Sequence, residues 1–377
     1  MKFEFGVAGR EDDADIRDLL AQNPMPGSVS VAFEREPDYF LGHGVMGDRC
    51  LTLKATDLET GRLAGIISVA AADRYVGGKV RSVGYVGQIR IAREYRGYLM
   101  PMRAAAYLRS TVSSDWPDLW FSAIVHGNRS PQRMFVERPR ASFPVLEPVS
   151  RIHTFGIFTR ERYSRAGLAV AKSASHGSTT IRSGGDVGLA AIVSFLQSHG
   201  DSREFFPRYE LSHFAGGDRT PGFQADDFVV AISDDTVVGV CGVWNQSSFR
   251  QTIVHGYSGW PGRIRPVLNL VTPVIRTKRL PDIGQPIKSA YLSFVSVAND
   301  DPVVFRLMLR SAIGLALEMG LDYLLAGFSV RDPLVAVARR FRHILYRSTM
   351  YSFTFDGILP PDAYDRSKAP YLEIAAL

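Results

Sequence analysis

Residues 83–108, VGYVGQIRIAREYRGYLMPMRAAAYL, decide the reading of this chain. The apolar run from Tyr85 to Ile91 reads as a strand. A polar turn with Arg96 and Gly97 follows, and the apolar spacing after it predicts a helix. Backbone N–H groups at such a strand-to-helix turn lack intrahelical partners, and a helix start carries partial positive charge. A turn of this kind suits an anion such as a pyrophosphate, with Arg96 adding a formal charge. The plainer alternative is an ordinary connection with a surface arginine.

Working outward, the chain reads twice through one order of elements. KFEFGVAG (2–9) and TTIRSGG (179–185) open as short strands. Helical stretches follow each, with Ile16, Leu19 and Leu20 spaced for one face in the first, and Asp186 and Gly200 as the expected cap and stop of the second. CLTLKATDLETGRLAGIISVA (50–70) and DDFVVAISDDTVVGVCGVW (226–244) each read as two strands around a turn. GYVGQIRIA (84–92) and SAYLSFVSVA (289–298) are strands that run into helices at 101–116 and 301–320. LWFSAIVHG (119–127) and DYLLAGFSV (322–330) are strands leading to short helices, and HTFGIF (153–158) and STMYSFTF (348–355) are expected to close each half.

The Ser-, Ala- and Gly-rich stretch 159–180 reads as a linker with the boundary near Ser173. The expected organisation is a first domain over 1–160, a linker over 161–177 and a second domain over 178–377. The second half also carries a Pro- and Gly-rich insertion at 245–288, expected to be extended and looped.

Composition narrows the classes of function. The 377 residues carry a net charge of +6, built from 44 Lys+Arg against 38 Asp+Glu, and 37 of those 44 cations are arginine. Arginine suits carboxylate and phosphate ligands, but +6 spread over this length is too dilute for a nucleic-acid stripe. Two cysteines exclude a disulfide scaffold and a zinc ribbon. The histidines show no metal-ligand pairing, so no metal is expected. No Walker loop or G-x-S-x-G elbow occurs. The start, MKFEF, lacks an apolar signal core, and no stretch reaches membrane-spanning length, so a soluble cytoplasmic protein is expected.

IRIAREYRGYLMP resembles the acetyl-CoA-binding motif of the GNAT superfamily of N-acetyltransferases, in which an aliphatic strand end precedes Arg-Gly-x-Gly-x-Gly/Ala. LWFSAIVHGNRSPQRMF is similar to that family's next strand and helix, and the element order matches its fold in both halves. The resemblance implies an α/β (α+β) protein of two tandem GNAT-like domains, each a mixed, mostly antiparallel sheet flanked by helices. It implies that the main chain at Ile89, Arg90 and Ile91 holds the thioester carbonyl and pantetheine of acetyl-CoA. The turn of Arg96, Gly97, Tyr98, Leu99, Met100 and Pro101 would hold the pyrophosphate, and Asn128 would approach the pantetheine arm. The implied reaction is direct acyl transfer to a small-molecule or peptide amine, with no covalent enzyme intermediate. The alternative is a non-catalytic module of the same fold that holds CoA or another small ligand between its halves.

This sequence departs from the family pattern at three places. Leu99 and Pro101 stand where the family has small residues; leucine crowds a close backbone approach and proline has no N–H to donate. Phe135 stands where many members have a tyrosine that protonates the leaving thiolate. In the second half, NDDPVVF replaces the Arg-Gly turn, and carboxylates at Asp300 and Asp301 repel the anion a cofactor would bring. That half is expected to be degenerate.

The general base is left unnamed. Glu34, Glu36 and Asp38 in FEREPDYF are candidates, as are Gln88 and Tyr85 on the strand itself, with Tyr85 read as core. Some tandem GNAT-like enzymes, including the N-myristoyltransferase type, use a terminal carboxylate, a place Leu377 would take. Trp244, Asn245, Gln246, Arg250 and Gln251 either line an acceptor pocket or anchor the insertion.

Overall fold

The computed structural model describes residues 2–25, 27, 29–96, 100–112, 115–137, 143–159, 171–173, 177–258, 281–355 and 357–377. Alternating apolar residues give the first half β1 (Phe3–Val7), β2 (Val29–Glu34), β3 (Arg49–Asp57), β4 (Leu63–Val76), β5 (Lys79–Ile91), β6 (Trp120–Val125) and β7 (Glu147–Phe158). The second half has β8 (Ala171–Ser173), β9 (Gly177–Ser183), β10 (Phe206–Pro207), β11 (Phe228–Ser233), β12 (Thr236–Trp244), β13 (Gln251–Tyr257), β14 (Ser289–Val297), β15 (Tyr323–Ser329) and β16 (His343–Phe353). Most of the expected linker lies outside the described residues; Ala171–Ser173 pair with β9 as a short hairpin.

Fourteen of these strands form one mixed sheet in the order β1-β3-β4-β5-β6-β16-β7-β15-β14-β12-β11-β9-β8, with β10 on the side of β4. The sequence suggests that the last strand of each half closes that half. The strands are instead exchanged. β16, from the second half, pairs with β6 of the first, and β7, from the first half, pairs with β15 of the second. β16 and β7 also pair with each other from His343–Ile157 to Ser352–Glu147. The exchange gives each closing strand neighbours on both sides, which removes two exposed edges and fuses the halves. A smaller ribbon, β2 with β13, joins the halves a second time; the insertion is extended there, as its composition implies.

Each half is covered by helices whose apolar faces match the sheet. On one face of the first half, the Asp13–Gln22 helix buries Ile16, Leu19 and Leu20 in a cluster with Ala64 and Ile66. Full burial of such side chains contributes roughly 1.5–3 kcal/mol each. On the other face, Leu108 of the Met100–Thr111 helix packs with Leu53, Val69, Val86, Trp116 and Trp120. In the second half the Pro302–Glu318 helix buries Val304, Phe305, Met308, Ala312 and Ile313. Gly239 on β12 admits its Met308, since a Cβ there would lie 2.5 Å from the sulfur. The Asp186 cap is corrected by the backbone. Ser183 caps a single turn at Gly184–Val187, Gly188 takes φ +89°, and the long helix begins at Leu189.

Candidate functional site

β5 and β6 are parallel neighbours only at Gly84–Trp120 and Tyr85–Phe121. Beyond Tyr85 they part, with β5 paired to β4 and β6 to β16. The cause is a bulge in β5. The β4–β5 register slips between Ile66 and Ser68, and Gln88 adopts φ +52°, a left-handed conformation that a non-glycine residue rarely takes. The second half repeats the device. β14 and β15 are parallel from Ser289–Tyr323 to Leu292–Ala326, then part where Phe294 has φ +59° and the β12–β14 register slips. Matching Gln88 to Phe294 brings Tyr85 onto Tyr291 and Ala92 onto Ala298, so the duplication extends to the strained residue.

The two openings differ in what lies in them. In the second half, the chain's own segment 371–376 runs through. Phe294 N–H donates to Glu373 Oε2 at 3.0 Å, Val295 N–H donates to the Tyr371 hydroxyl oxygen at 3.2 Å, and that hydroxyl donates to Glu373 at 2.8 Å. Ile374 fills the space left by Gly327, where a Cβ would come within 2.5 Å of it. All of Ser293–Val297 is buried. In the first half, Ile89, Arg90 and Ile91 are only half-buried, as are Ser122, Ala123 and Ile124 opposite, and Val125 is 40% exposed.

Of the residues expected to hold a cofactor, those described lie on the end of β5 and on the segments that follow β5 and β6. Ile89, Arg90 and Ile91 form the end of β5 past the bulge. Arg96 follows a short 3-10 turn; its Nη2 donates to Asn23 Oδ1 at 2.7 Å and its Nε to the Ile91 carbonyl at 3.2 Å. It thereby ties the turn to the end of the Asp13–Gln22 helix. Gly97, Tyr98 and Leu99 lie outside the described residues. Met100 and Pro101 begin the next helix, where proline is welcome, and Met100 is buried against the Gly65 position. Asn128 follows β6 at the head of the short Arg129–Gln132 helix and is half-buried, and its side chain makes no cap bond there. Phe135 packs edge-on against Phe143, with ring centres 4.9 Å apart.

At the matching turn of the second half, Asp301 is the helix cap. It accepts from Val303 N–H at 2.7 Å and Val304 N–H at 3.2 Å, with Pro302 in the first turn. A carboxylate already holds the anion position there.

Sequence reasoning missed the polar set beneath the first opening. Ser68 pairs across from Gly87, beside the bulge. Its hydroxyl is 2.7 Å from Tyr39 Oη and 2.8 Å from Thr52 Oγ1, and Thr52 is 3.0 Å from His43 Nε2. Burial pushes His43 down to about 4, so its imidazole is neutral at physiological pH, and burial also raises the Tyr39 phenol. Arg35, Arg90 and Arg250 gather near Tyr85, whose phenol burial pushes up to about 12. Burial, then the charge of Arg250, brings Arg35 down to about 9.

The carboxylates of FEREPDYF are otherwise occupied. Glu36 pairs with Arg17. Asp38 caps Phe40 N–H at 2.7 Å and pairs with Arg10 at 2.9 Å. Glu34 lies 3.8 Å from His255. Of the insertion residues, Gln246 and Arg250 both donate to the Ala375 carbonyl, at 3.0 and 2.8 Å. Trp244 lines a small, partly open pocket between the halves with Arg74, His213, Arg219 and Glu373. Asn245 braces its own turn by accepting from Ser247 N–H, while Gln251 bonds both the carbonyl and the N–H of Glu36 in the first half, at 2.9 and 3.0 Å. Leu377 packs at the edge of the cluster around Tyr85.

Solved structures align over nearly the whole of this chain. Yeast (Saccharomyces cerevisiae) N-myristoyltransferase with bound myristoyl-CoA aligns over 98% of this chain and 84% of its own, with a TM-score of 0.59 at 12% identity. The chain has the GNAT fold. A GCN5-related N-acetyltransferase from Sphaerobacter thermophilus aligns over 96% of this chain and 98% of its own, with a TM-score of 0.55 at 10% identity. No family model and no curated sequence matches the chain. At these identities the likeness is one of GNAT fold and tandem arrangement. Among the described residues no helix is long and apolar enough to cross a membrane, and no cluster of His, Cys, Asp and Glu is arranged to hold a metal ion.

Proposed function

We propose that this GNAT-fold chain is an acyl-CoA-dependent N-acyltransferase with one donor site, in the first half. The observation that carries the reading is the asymmetry of the two openings: half-buried residues Ile89–Ile91 along the first, and residues 371–376 filling the second. The donor lies along Ile89–Ile91, its pyrophosphate at the Arg96–Pro101 turn and its pantetheine near Asn128. Acetyl-CoA is the donor that fits best. The floor behind the opening is closed by Tyr85, Phe121, Phe205 and Met350, all buried, which leaves little room for a long acyl chain. The donors bound by the structural neighbours argue for the CoA thioester in general.

The acceptor is an amine on a small molecule or peptide, entering from the face that carries Tyr39, Ser68 and Tyr85. Its neutral nitrogen forms a bond to the thioester carbonyl, the C–S bond breaks, and the electron pair leaves on sulfur. The nitrogen gives up one proton and the thiolate takes one up, so the products are the amide and free CoA thiol. Ser68, Thr52 and His43 offer a hydrogen-bonded path that relays the nitrogen's proton through the half-buried, neutral imidazole toward solvent. Phe135 leaves the thiolate to be protonated by solvent. Holding the two reactants side by side supplies the larger part of the rate.

Phe135 also favours a second reading, a binding module that holds CoA without turnover. Thiol release from acetyl-CoA, measured with and without a broad amine panel, separates the two. Amine-dependent release above the hydrolytic background supports the enzyme, and binding without release supports the module.

A further inference from the structure

Near the first opening two buried arginines and a half-buried third have no counterion among the described residues. Arg35 is 4% exposed and Arg250 7%, and Arg90 is half-buried. Each spends one donor on a main-chain carbonyl: Arg35 on Glu34 at 3.3 Å, Arg90 on Ile89 at 2.8 Å and Arg250 on Ala375 at 2.8 Å. Arg250 Nε is buried with no partner. Among the described residues, no carboxylate stands within ion-pair distance of any of the three. Elsewhere Arg203 is paired with Asp332 at 2.9 Å and with Asp300, whereas Arg74, 4% exposed, donates only to the Phe205 carbonyl at 2.9 Å.

Arg35 and Arg250 sit beside each other where β2 pairs with β13 next to Gln251–Glu34, and Arg35 is repelled by both Arg250 and Arg90. Uncompensated buried charge is among the most costly features a fold can carry, and a bound anion relieves it. The guanidinium forks retain unused donors in the geometry that carboxylates accept in pairs. Aromatic rings complete the surroundings: Tyr291 lies 5.9 Å beneath the Arg250 guanidinium, and Tyr39 and Tyr85 lie within electrostatic reach. Arg90 sits two residues past the bulge, opposite Ile66 and on the face of Ser68, beside the place assigned to the thioester.

We propose that Arg35, Arg90 and Arg250 form a carboxylate-binding subsite for the acceptor, whose amine therefore belongs to an amino acid or a similar short amino-carboxylate. This rests on the acyl-transfer reading above. Both halves are needed for it, since Arg35 and Arg90 come from the first and Arg250 from the second. The carboxylate holds the molecule while the amine, a few atoms away, faces the donor carbonyl.

The test has two arms, both on the full chain. In the first, amines are supplied to the acetyl-CoA reaction in pairs: glycine with glycinamide, β-alanine with β-alaninamide, glutamate with its diamide. Acceptors bearing the carboxylate are expected to be at least tenfold better in kcat/KM. Arg35→Gln and Arg250→Gln are expected to raise their KM at least tenfold while leaving the Kd for acetyl-CoA within twofold. Equal use of the amides overturns the proposal. So does a loss of acetyl-CoA affinity in the variants, which assigns the cluster to the cofactor phosphates.

The second arm needs no turnover. Sodium malonate, compared with sodium chloride at equal ionic strength, is expected to raise the melting temperature of the parent protein but not of either variant. Both variants remove an unpaired buried charge, so both are expected to fold, and Arg90→Ala serves as a third. A malonate effect with no turnover of any amine keeps the anion site and rejects the acyl-transfer reading. No malonate effect overturns the anion site whatever the turnover.

Discussion

Glu373→Ala tests whether segment 371–376 is built into the second opening. The carboxylate is 4% exposed and accepts from Phe294 N–H at 3.0 Å, Ala375 N–H at 3.2 Å and the Tyr371 hydroxyl at 2.8 Å. Hydrogen bonds to a charged group contribute roughly 1.5–3 kcal/mol each, and a buried donor left without a partner costs about 1–3 kcal/mol. Burial, which raises the Glu373 pKa by penalising the carboxylate, offsets part of that gain. The net loss expected is about 3–5 kcal/mol. At about 2.1 cal/mol/K of unfolding entropy per residue, a chain of 377 residues converts this into a fall in Tm of roughly 4–6 °C. Glu373→Gln keeps one acceptor oxygen and is expected to lose less than half as much. Thermal melts of the three proteins, run side by side by circular dichroism, give the answer. A fall below about 1 °C for the alanine variant would refute the claim that the segment occupies the opening.

Gly200 meets the Tyr75 ring, where a Cβ would lie 2.3 Å from a ring carbon. Gly200→Ala is therefore expected to cost about 1–3 kcal/mol in urea unfolding. Asp301→Ala removes the cap of the Pro302–Glu318 helix and is expected to cost about 1 kcal/mol by the same assay, without creating a second acyl-CoA site. His43, brought down from 6.5 to about 4 by burial, binds its proton later in the folded state than in the unfolded one. Stability from this group is complete above pH 6.5 and declines as pH falls toward 4, by on the order of 3 kcal/mol. Denaturation at several pH values should show that slope in the parent and a flatter one in His43→Gln.

The legible part of this chain was local. The 83–108 stretch announced a strand, a turn and a helix, and β5 and the Met100–Thr111 helix lie there. The repeated order of elements was visible because each hairpin and amphipathic helix carries its own periodicity. The exchange of β7 and β16 was not, because a closing strand reads the same whichever half it joins. β2 escaped notice, because its pairing with β13 depends on a partner more than two hundred residues away. The tail read only as an apolar ending; its filling of the second opening depends on Glu373, an acidic residue with no period to mark it. Arg35 stood between two glutamates that looked more chemical than it did, and only the fold shows those glutamates turned to other partners and the arginine left without one.

The central claim is one acyl-CoA site per chain, in the first half, and calorimetric titration with acetyl-CoA against desulfo-CoA and ATP tests it most directly. The account predicts saturable binding at one site per chain, weakened by Arg96→Glu and unchanged by Asp301→Ala. Two sites per chain, or no binding of acetyl-CoA at millimolar concentration, would contradict it.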